Sequence, residues 1–133
     1  MFTMCYTRSS IIDISLFRKS ELRDEGGNKM GKIMAVNISE KKGTQKKNVH
    51  SARLMEEFGI EKDAHAGKWH RQVSLLSYEK IEEFKAKGAP IEDGAFGENL
   101  IVSGYDLKAL PVGTRLRSGE VLLEVTQIGK KCH

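Results

Sequence analysis

The sequence has few cysteines, few prolines and no long hydrophobic run. Its 133 residues include two cysteines, two prolines and one tryptophan. Cys5 and Cys132 lie near opposite ends of the chain, so they form neither a Cys-x-x-Cys pair nor a disulfide framework. No stretch approaches the roughly 20 apolar residues of a membrane-spanning helix, and no signal peptide is evident. These absences predict a cytoplasmic protein with reduced thiols and no membrane contact.

The chain is mildly basic, with a formal net charge of +4, and its Lys and Arg residues are interleaved with Asp and Glu residues. Aromatic residues do not alternate with a basic stripe, so nucleic-acid binding has no support. Nucleotide-binding glycine motifs, zinc-protease motifs and nucleophile elbows are also missing. The densest basic cluster predicts a solvated surface loop, with a phosphate- or nucleic-acid-contacting loop as the alternative; it consists of Lys41, Lys42, Lys46 and Lys47.

The chain divides at Met30. Residues 1–29 end in a charged, glycine-containing stretch that is typical of a linker. We expect residues 1–29 to be an N-terminal extension or leader outside the core, the alternative being an added helix that packs on the domain. Residues 30–133 are then the folded domain.

Hydrophobic periodicity predicts a mainly β domain with one or two helices, of the α+β class. A helix is expected over residues 77–87, with Ser77 as its N-cap and Gly88 after its end. A short helical or irregular piece is expected over residues 52–58. Short strands separated by glycine turns favour a β-barrel or a strongly bent sheet; we predict them at residues 32–39, 70–76, 100–103, 115–117 and 121–128.

Cys132 is the first candidate for chemistry. A thiol acts as a nucleophile or metal ligand only as the thiolate, and nearby cations lower its pKa. Lys130, Lys131 and a protonated His133 have the required charge. The alternative is an incidental cysteine at a frayed terminus.

The second candidate is the polar segment at residues 63–72. It contains Asp63, His65, His70, Arg71 and Gln72 within ten residues. An anion site built from the two histidines and the arginine is one interpretation. A zinc site and a structural polar network are the others, although the histidine spacing matches no standard zinc motif.

The third candidate is the turn at residues 94–100, in which Gly94 and Gly97 bracket an aromatic residue. Its glycine backbone can cradle a phosphate. The alternative is a turn that leads into a strand, with Asn99 capping backbone groups.

Together and in this order, the motifs resemble the MOSC domain, which is found at the C-terminus of molybdenum cofactor sulfurases and as stand-alone bacterial proteins. The resemblance covers about residues 30–133. It depends on the segments Asp-Ala-His-Ala-Gly (63–67), His-Arg-Gln-Val-Ser-Leu-Leu (70–76), Phe-Gly-Glu-Asn-Leu (96–100), Leu-Pro-Val-Gly-Thr (110–114), Leu-Arg-Ser-Gly (116–119) and Leu-Glu-Val-Thr-Gln (123–127), followed by Cys-His (132–133).

This resemblance implies a bent β-barrel and a role with the molybdenum cofactor (molybdopterin). It implies that Cys132 is the catalytic residue, as a persulfide-bearing sulfur carrier or as a molybdenum ligand. A thiolate suits molybdenum that is already bound by dithiolene sulfur. Pyridoxal phosphate is not supported by this chain. The implied cofactor-binding residues are His65, His70, Arg71, Gly97, Asn99 and Gln127.

Three functions follow from the resemblance. The first is sulfur transfer or molybdenum-dependent reduction of N-hydroxylated compounds, which needs a sulfur donor or an electron-transfer partner protein. The second is a non-catalytic carrier of cofactor or sulfur. The third is an inactive truncated fragment.

The sequence departs from the family pattern in two places. The family has glycine before the Asp of the Asp-x-His element, where this chain has Lys62. If that position needs a positive φ, lysine costs about 1 kcal/mol there. Family members also continue past Cys-His, so we expect a barrel that is incomplete at the C-terminus, with unpaired edges that favour a homodimer.

Overall fold

The computed structural model describes residues 5–9, 14–17, 20–25, 29–41, 44–49, 51–55, 58–64, 66–67, 69, 72–119 and 121–129. The described part is mainly β. Its strands are β1 (Cys5–Ser9), β2 (Ile14–Phe17), β3 (Glu21–Asp24), β4 (Met30–Ile38), β5 (Lys47–Val49), β6 (Ser51–Met55), β7 (Gly59–Ile60), β8 (Val73–Ser77), β9 (Leu100–Ser103), β10 (Arg115–Ser118) and β11 (Val121–Ile128); its helices are α1 (Tyr78–Ala86) and a short 3-10 helix (Leu107–Ala109).

Eight strands form one strongly curled sheet in the order β3-β10-β11-β1-β8-β9-β4-β5. The two sides of this sheet meet, because β3 pairs antiparallel with β4 as well as with β10. Only the β8–β9 pairing is parallel among those described for this sheet. A smaller sheet contains β2, β6 and β7. This architecture confirms the prediction of a mainly β domain with a bent, barrel-like sheet.

The N-terminal segment contributes strands to the large sheet. β1 lies between β8 and β11 and pairs antiparallel with both. In β3, Leu22 is fully buried in the main hydrophobic core. This placement differs from the expectation that residues 1–29 lie outside the core, while the family-domain boundary at Met30 stays a prediction.

The main core fills the concave side of the sheet with aliphatic side chains, because alternate residues of a strand point to the same face. Val73 and Leu75 of β8 and Leu100 and Val102 of β9 belong to it. The residues between them face outward, and there Leu76 and Ile101 form a second cluster with Ile81 of α1.

Helix α1 forms as predicted from its local signals. The Ser77 hydroxyl accepts a hydrogen bond from the backbone N–H of Lys80 at 3.3 Å, which satisfies one of the free donors at the helix start. Gly88 follows the helix with a φ of 93°. None of the described residues belongs to a helix long and apolar enough to cross a membrane.

Most strand predictions are confirmed within a few residues at the ends. The expected helical or irregular piece at residues 52–58 is wrong, since residues 51–55 form β6 and pair with β2 and β7. The cause is tertiary. The strands β2 and β7 pair with the backbone of residues 51–55, so this segment does not need a helix to satisfy its backbone hydrogen bonds.

Candidate functional site

Positions that are in register form a row across the large sheet, from β11 through β1 and β8 to β4. Gln127 of β11 is in register with Tyr6 of β1, which is in register with Ser74 of β8. The Asn99 N–H donates to the Ser74 carbonyl at 3.0 Å, and the Asn37 N–H donates to the Asn99 carbonyl at 2.6 Å. We call Ser74, Asn99 and Asn37 the polar row. All three are buried.

Asn99 is the centre of the polar row, and its side chain is occupied by the protein itself. Its Oδ1 accepts from the Ser74 N–H at 3.0 Å and from the Ser74 hydroxyl at 3.1 Å. Its Nδ2 donates to the Asn37 carbonyl at 3.0 Å. Asn99, which directly precedes β9, therefore joins β8 and β4, the strands on either side of β9. Of the two sequence interpretations, these contacts match the one in which Asn99 caps backbone groups.

Glu98 folds back on the turn that precedes it. One carboxylate oxygen accepts from the Gly94 N–H at 2.8 Å, and the other accepts from the Phe96 N–H at 3.1 Å. The carboxylate is fully buried, and desolvation raises the pKa of Glu98 despite these backbone hydrogen bonds, with the Asp93 charge adding to the increase.

Asn37 connects Glu98 with the polar row. Its Nδ2 donates to a Glu98 carboxylate oxygen at 3.3 Å. Its Oδ1 is a buried acceptor with no hydrogen-bond partner among the described residues. Such an atom is uncommon in folded proteins, because a lost hydrogen bond to water is not replaced.

A buried ion pair lies next to these residues. The Lys46 ammonium is 2.6 Å from a carboxylate oxygen of Asp63, and their side chains are 1% and 0% exposed. The same oxygen accepts from the Ser39 N–H at 3.2 Å. The prediction that the lysine cluster forms a solvated loop is wrong for Lys46, because folding brings it to a carboxylate 17 residues away. Lys41 and Lys47 are exposed as predicted, although Lys47 is the first residue of β5 and not part of a loop, and Lys42 lies outside the described residues.

Lys62, directly before Asp63, has a φ of 68° and is the one non-glycine residue with a positive φ in the described part of the chain. This position, where the family has glycine, therefore has the positive φ at which lysine costs free energy. Lysine occupies a backbone conformation that glycine adopts at lower cost.

The structure brings together some of the predicted site residues. The Gly97 carbonyl accepts from the Ser74 hydroxyl at 3.3 Å, so Gly97 and Asn99 meet at Ser74. Gln127 lies outside the polar row, two strands from Ser74 along the register through β1, or about 10 Å away. Its Nε2 donates to the Gly129 carbonyl at 2.9 Å. Cys132, His65, His70 and Arg71 lie outside the described residues.

Sequence reasoning missed Lys46, Glu98 and Asn37 as members of the site. Glu98 lies inside the motif at residues 96–100, but nothing in that motif shows that its carboxylate accepts hydrogen bonds from the turn before it. Lys46 looks like its exposed neighbours, and Asn37 looks like any polar residue at a strand end. No group of three or more metal-binding side chains occurs among the residues that the structure describes.

The fold is thus a small β-barrel-like domain. Its buried polar side chains hold two loop segments, residues 63–64 and 94–99, against the strands. The family model described as the MOSC domain matches residues 62–133, more than half of the chain. The chain therefore belongs to the MOSC domain family, and is a domain related to molybdenum cofactor sulfurases. A search of curated proteins and a search of solved structures gave no match for this chain.

The family match includes Asp63, Glu98, Asn99 and Gln127. It begins after Asn37 and Lys46, although these two residues contact Glu98 and Asp63 within it. The site is thus built from both the matched region and the strands that precede it.

Proposed function

We propose that this domain binds the molybdenum cofactor or carries sulfur for transfer, with Cys132 as the persulfide-bearing residue or the molybdenum ligand. The proposal deepens the family assignment, which covers a general relation to molybdenum cofactor sulfurases. It concerns a thiol near the end of β11, in a reducing compartment where it stays available.

The supporting observation is the attachment of the segment that leads to Cys132. β11 pairs with β10 on one side and β1 on the other. The residue after β11 is also held, because the Gln127 side chain donates to the Gly129 carbonyl. Cys132 follows Gly129 by three residues in the sequence, so the last described part of the chain before it is this anchored strand end. Catalysis needs a positioned thiol, and the strand that precedes Cys132 is hydrogen-bonded on both sides.

The donor set fits the cofactor in its chemistry. Cys132 supplies a soft thiolate for molybdenum, while Arg71, His65 and His70 supply cationic or N–H donors for a phosphate group. When bound, the cofactor supplies a redox-active metal with sulfur ligands. Gly97 and Asn99 take a supporting role, since the Gly97 N–H donates to Gly94 and the Asn99 side chain is occupied by Ser74 and Asn37.

Sulfur transfer to Cys132 needs no external oxidant. The Cys132 thiolate attacks the terminal sulfur of a donor persulfide, a new sulfur–sulfur bond forms, and the donor leaves as a thiolate. Lys130 and Lys131 favour the thiolate form by their charge.

The test compares the wild type with Cys132→Ser and with Cys5→Ser, a matched control that removes the other thiol. Molybdenum and pterin are measured in protein purified from a molybdate-fed host. Persulfide is measured by mass spectrometry after incubation with a cysteine desulfurase and cysteine. We expect Cys132→Ser to lose the bound cofactor or the persulfide, and Cys5→Ser to keep it. Equal retention in Cys132→Ser would show that the assignment is wrong.

A second assay separates a reductase from a carrier. Purified wild type is given an N-hydroxylated base and reduced methyl viologen as electron donor. Turnover that disappears in Cys132→Ser assigns a reductase, whereas bound cofactor or persulfide without turnover assigns a carrier.

A further inference from the structure

Lys46 is buried although its sequence neighbours are exposed. Its side chain is 1% exposed, and its ammonium group contacts the Asp63 carboxylate at 2.6 Å. Removing two charges from water costs several kcal/mol per ion, and their attraction offsets this cost only in part. Replacing a buried ion pair with apolar groups of similar volume is often neutral or stabilising, so stability alone does not account for these two charges.

Lys46 contacts two segments that are distant in sequence. We call residues 63–67 the first segment and residues 94–99 the second segment. The Lys46 ammonium binds Asp63, at the start of the first segment. Its carbonyl lies against Gly94, at the start of the second segment, where a β-carbon would come within 1.8 Å of the oxygen. Lys46 is thus in contact with both.

The end of β4 reinforces the same arrangement. The Ser39 N–H donates to the carboxylate oxygen that Lys46 binds, and the Ser39 carbonyl accepts from the Ala64 N–H at 2.7 Å. Two residues earlier, Asn37 binds Glu98 and Asn99 in the second segment. The first segment is therefore held to the second through Lys46 and through one short stretch of backbone.

We propose that Lys46 is a positioning residue that fixes the first and second segments relative to each other for cofactor binding. This inference rests on the proposed function, because Gly97 and Asn99 lie in the second segment and His65 belongs by sequence to the first segment. The ammonium–carboxylate contact is directional, and it orients Asp63 toward both Lys46 and Ser39. An apolar contact fills the same space without setting that orientation.

Hydrogen exchange of the purified chain tests the positioning without any cofactor. Lys46→Met removes the charge and keeps most of the side-chain volume. Lys47→Met is the matched control, since Lys47 is the next residue and is exposed. We expect amide exchange to become about tenfold faster in both segments of Lys46→Met, as local opening becomes easier. Lys47→Met is expected to exchange like the wild type. An increase in only one segment, or none, overturns the proposal.

A double variant separates positioning from stability. Lys46→Met/Asp63→Leu replaces both charges with apolar groups, so its melting temperature is expected to return toward that of the wild type. Its segments are still expected to exchange faster. Its molybdenum and pterin content is expected to stay about tenfold below wild type, the effect typical of groups that orient ligands. If Lys46→Met does not fold, the double variant alone is compared with the wild type.

The outcomes separate this proposal from the one before it. Full recovery of exchange protection and cofactor content in the double variant makes the ion pair a stability element and overturns the positioning role. Faster exchange with unchanged cofactor content overturns it as well, while the proposed function stands. A wild type that binds no cofactor and carries no persulfide removes the proposed function, and with it the link to cofactor binding.

Discussion

The Glu98 carboxylate accepts a hydrogen bond from the Asn37 side-chain amide at 3.3 Å, and both residues are fully buried. Asn37 joins two backbone N–H groups, from Gly94 and Phe96, as donors to this carboxylate. The charge of Glu98 is thus dispersed over three neutral donors. Burial outweighs their effect and raises the pKa of Glu98.

The raised pKa predicts a pH dependence of stability. As pH rises past 4.5, the ordinary pKa of a glutamate, the unfolded chain releases this proton before the folded chain does. The folded state then binds more protons than the unfolded state, so the free energy of unfolding falls until the pH passes the folded-state pKa of Glu98. The decrease is about 1.4 kcal/mol for each unit by which the pKa is raised.

Urea unfolding between pH 4.5 and 7 measures this decrease. Glu98→Gln cannot ionise, and we expect it to lose this part of the pH dependence. Glu92→Gln, an exposed control in the preceding loop, is expected to keep the wild-type profile. Parallel profiles for the wild type and Glu98→Gln would contradict the prediction.

Replacing Lys62 with glycine is expected to stabilise the chain. Lys62 has a φ of 68°, where a β-carbon is crowded by the backbone. Lys62→Gly should raise the free energy of unfolding by about 1 kcal/mol, since the relief of strain exceeds the added flexibility of the unfolded chain. Lys62→Ala keeps the β-carbon and is the control that should bring no such gain. The measurement is chemical denaturation, and equal effects of glycine and alanine would show that φ is not the cause.

Asn99 is expected to act on stability as well as on function. Asn99→Ala leaves the Ser74 N–H and the Asn37 carbonyl without their side-chain partner, in a buried place. We expect it to lower the free energy of unfolding by about 3 kcal/mol. Asn48→Ala removes an exposed hydrogen bond to Asp93 and should change stability by less than about 0.5 kcal/mol. A stable Asn99→Ala that fails only in cofactor binding would instead indicate direct contact with the cofactor.

Gly94 and Gly97 are expected to differ sharply, although both have a positive φ. A β-carbon on Gly94 would meet the Lys46 carbonyl, whereas a β-carbon on Gly97 would meet no atom within 4 Å. Gly94→Ala should therefore cost about 3 kcal/mol or more, from backbone strain and overlap together. Gly97→Ala should cost about 1 kcal/mol from strain alone. Thermal and urea unfolding measure both, and equal losses would show that Gly94 does not pack on Lys46.

The sequence by itself determined the features that depend on near neighbours. Helix α1 forms from a cap that joins residues three apart, and β11 follows its run of β-branched and aliphatic residues. The motif order was enough to indicate the family, which the family model then matched. Cys132 stands out in the same way, by residue type and by its place in that order.

Only the tertiary structure decided which polar residues are buried together. Nothing in the sequence separates Lys46 from Lys47, yet one binds Asp63 in the interior and the other faces solvent. Asn37 reaches Glu98 across 61 residues of chain, and β1 finds its place between two strands far along the sequence. The reason is physical: contacts within a few residues follow from backbone geometry, whereas desolvation and long-range hydrogen bonds depend on the path of the whole chain.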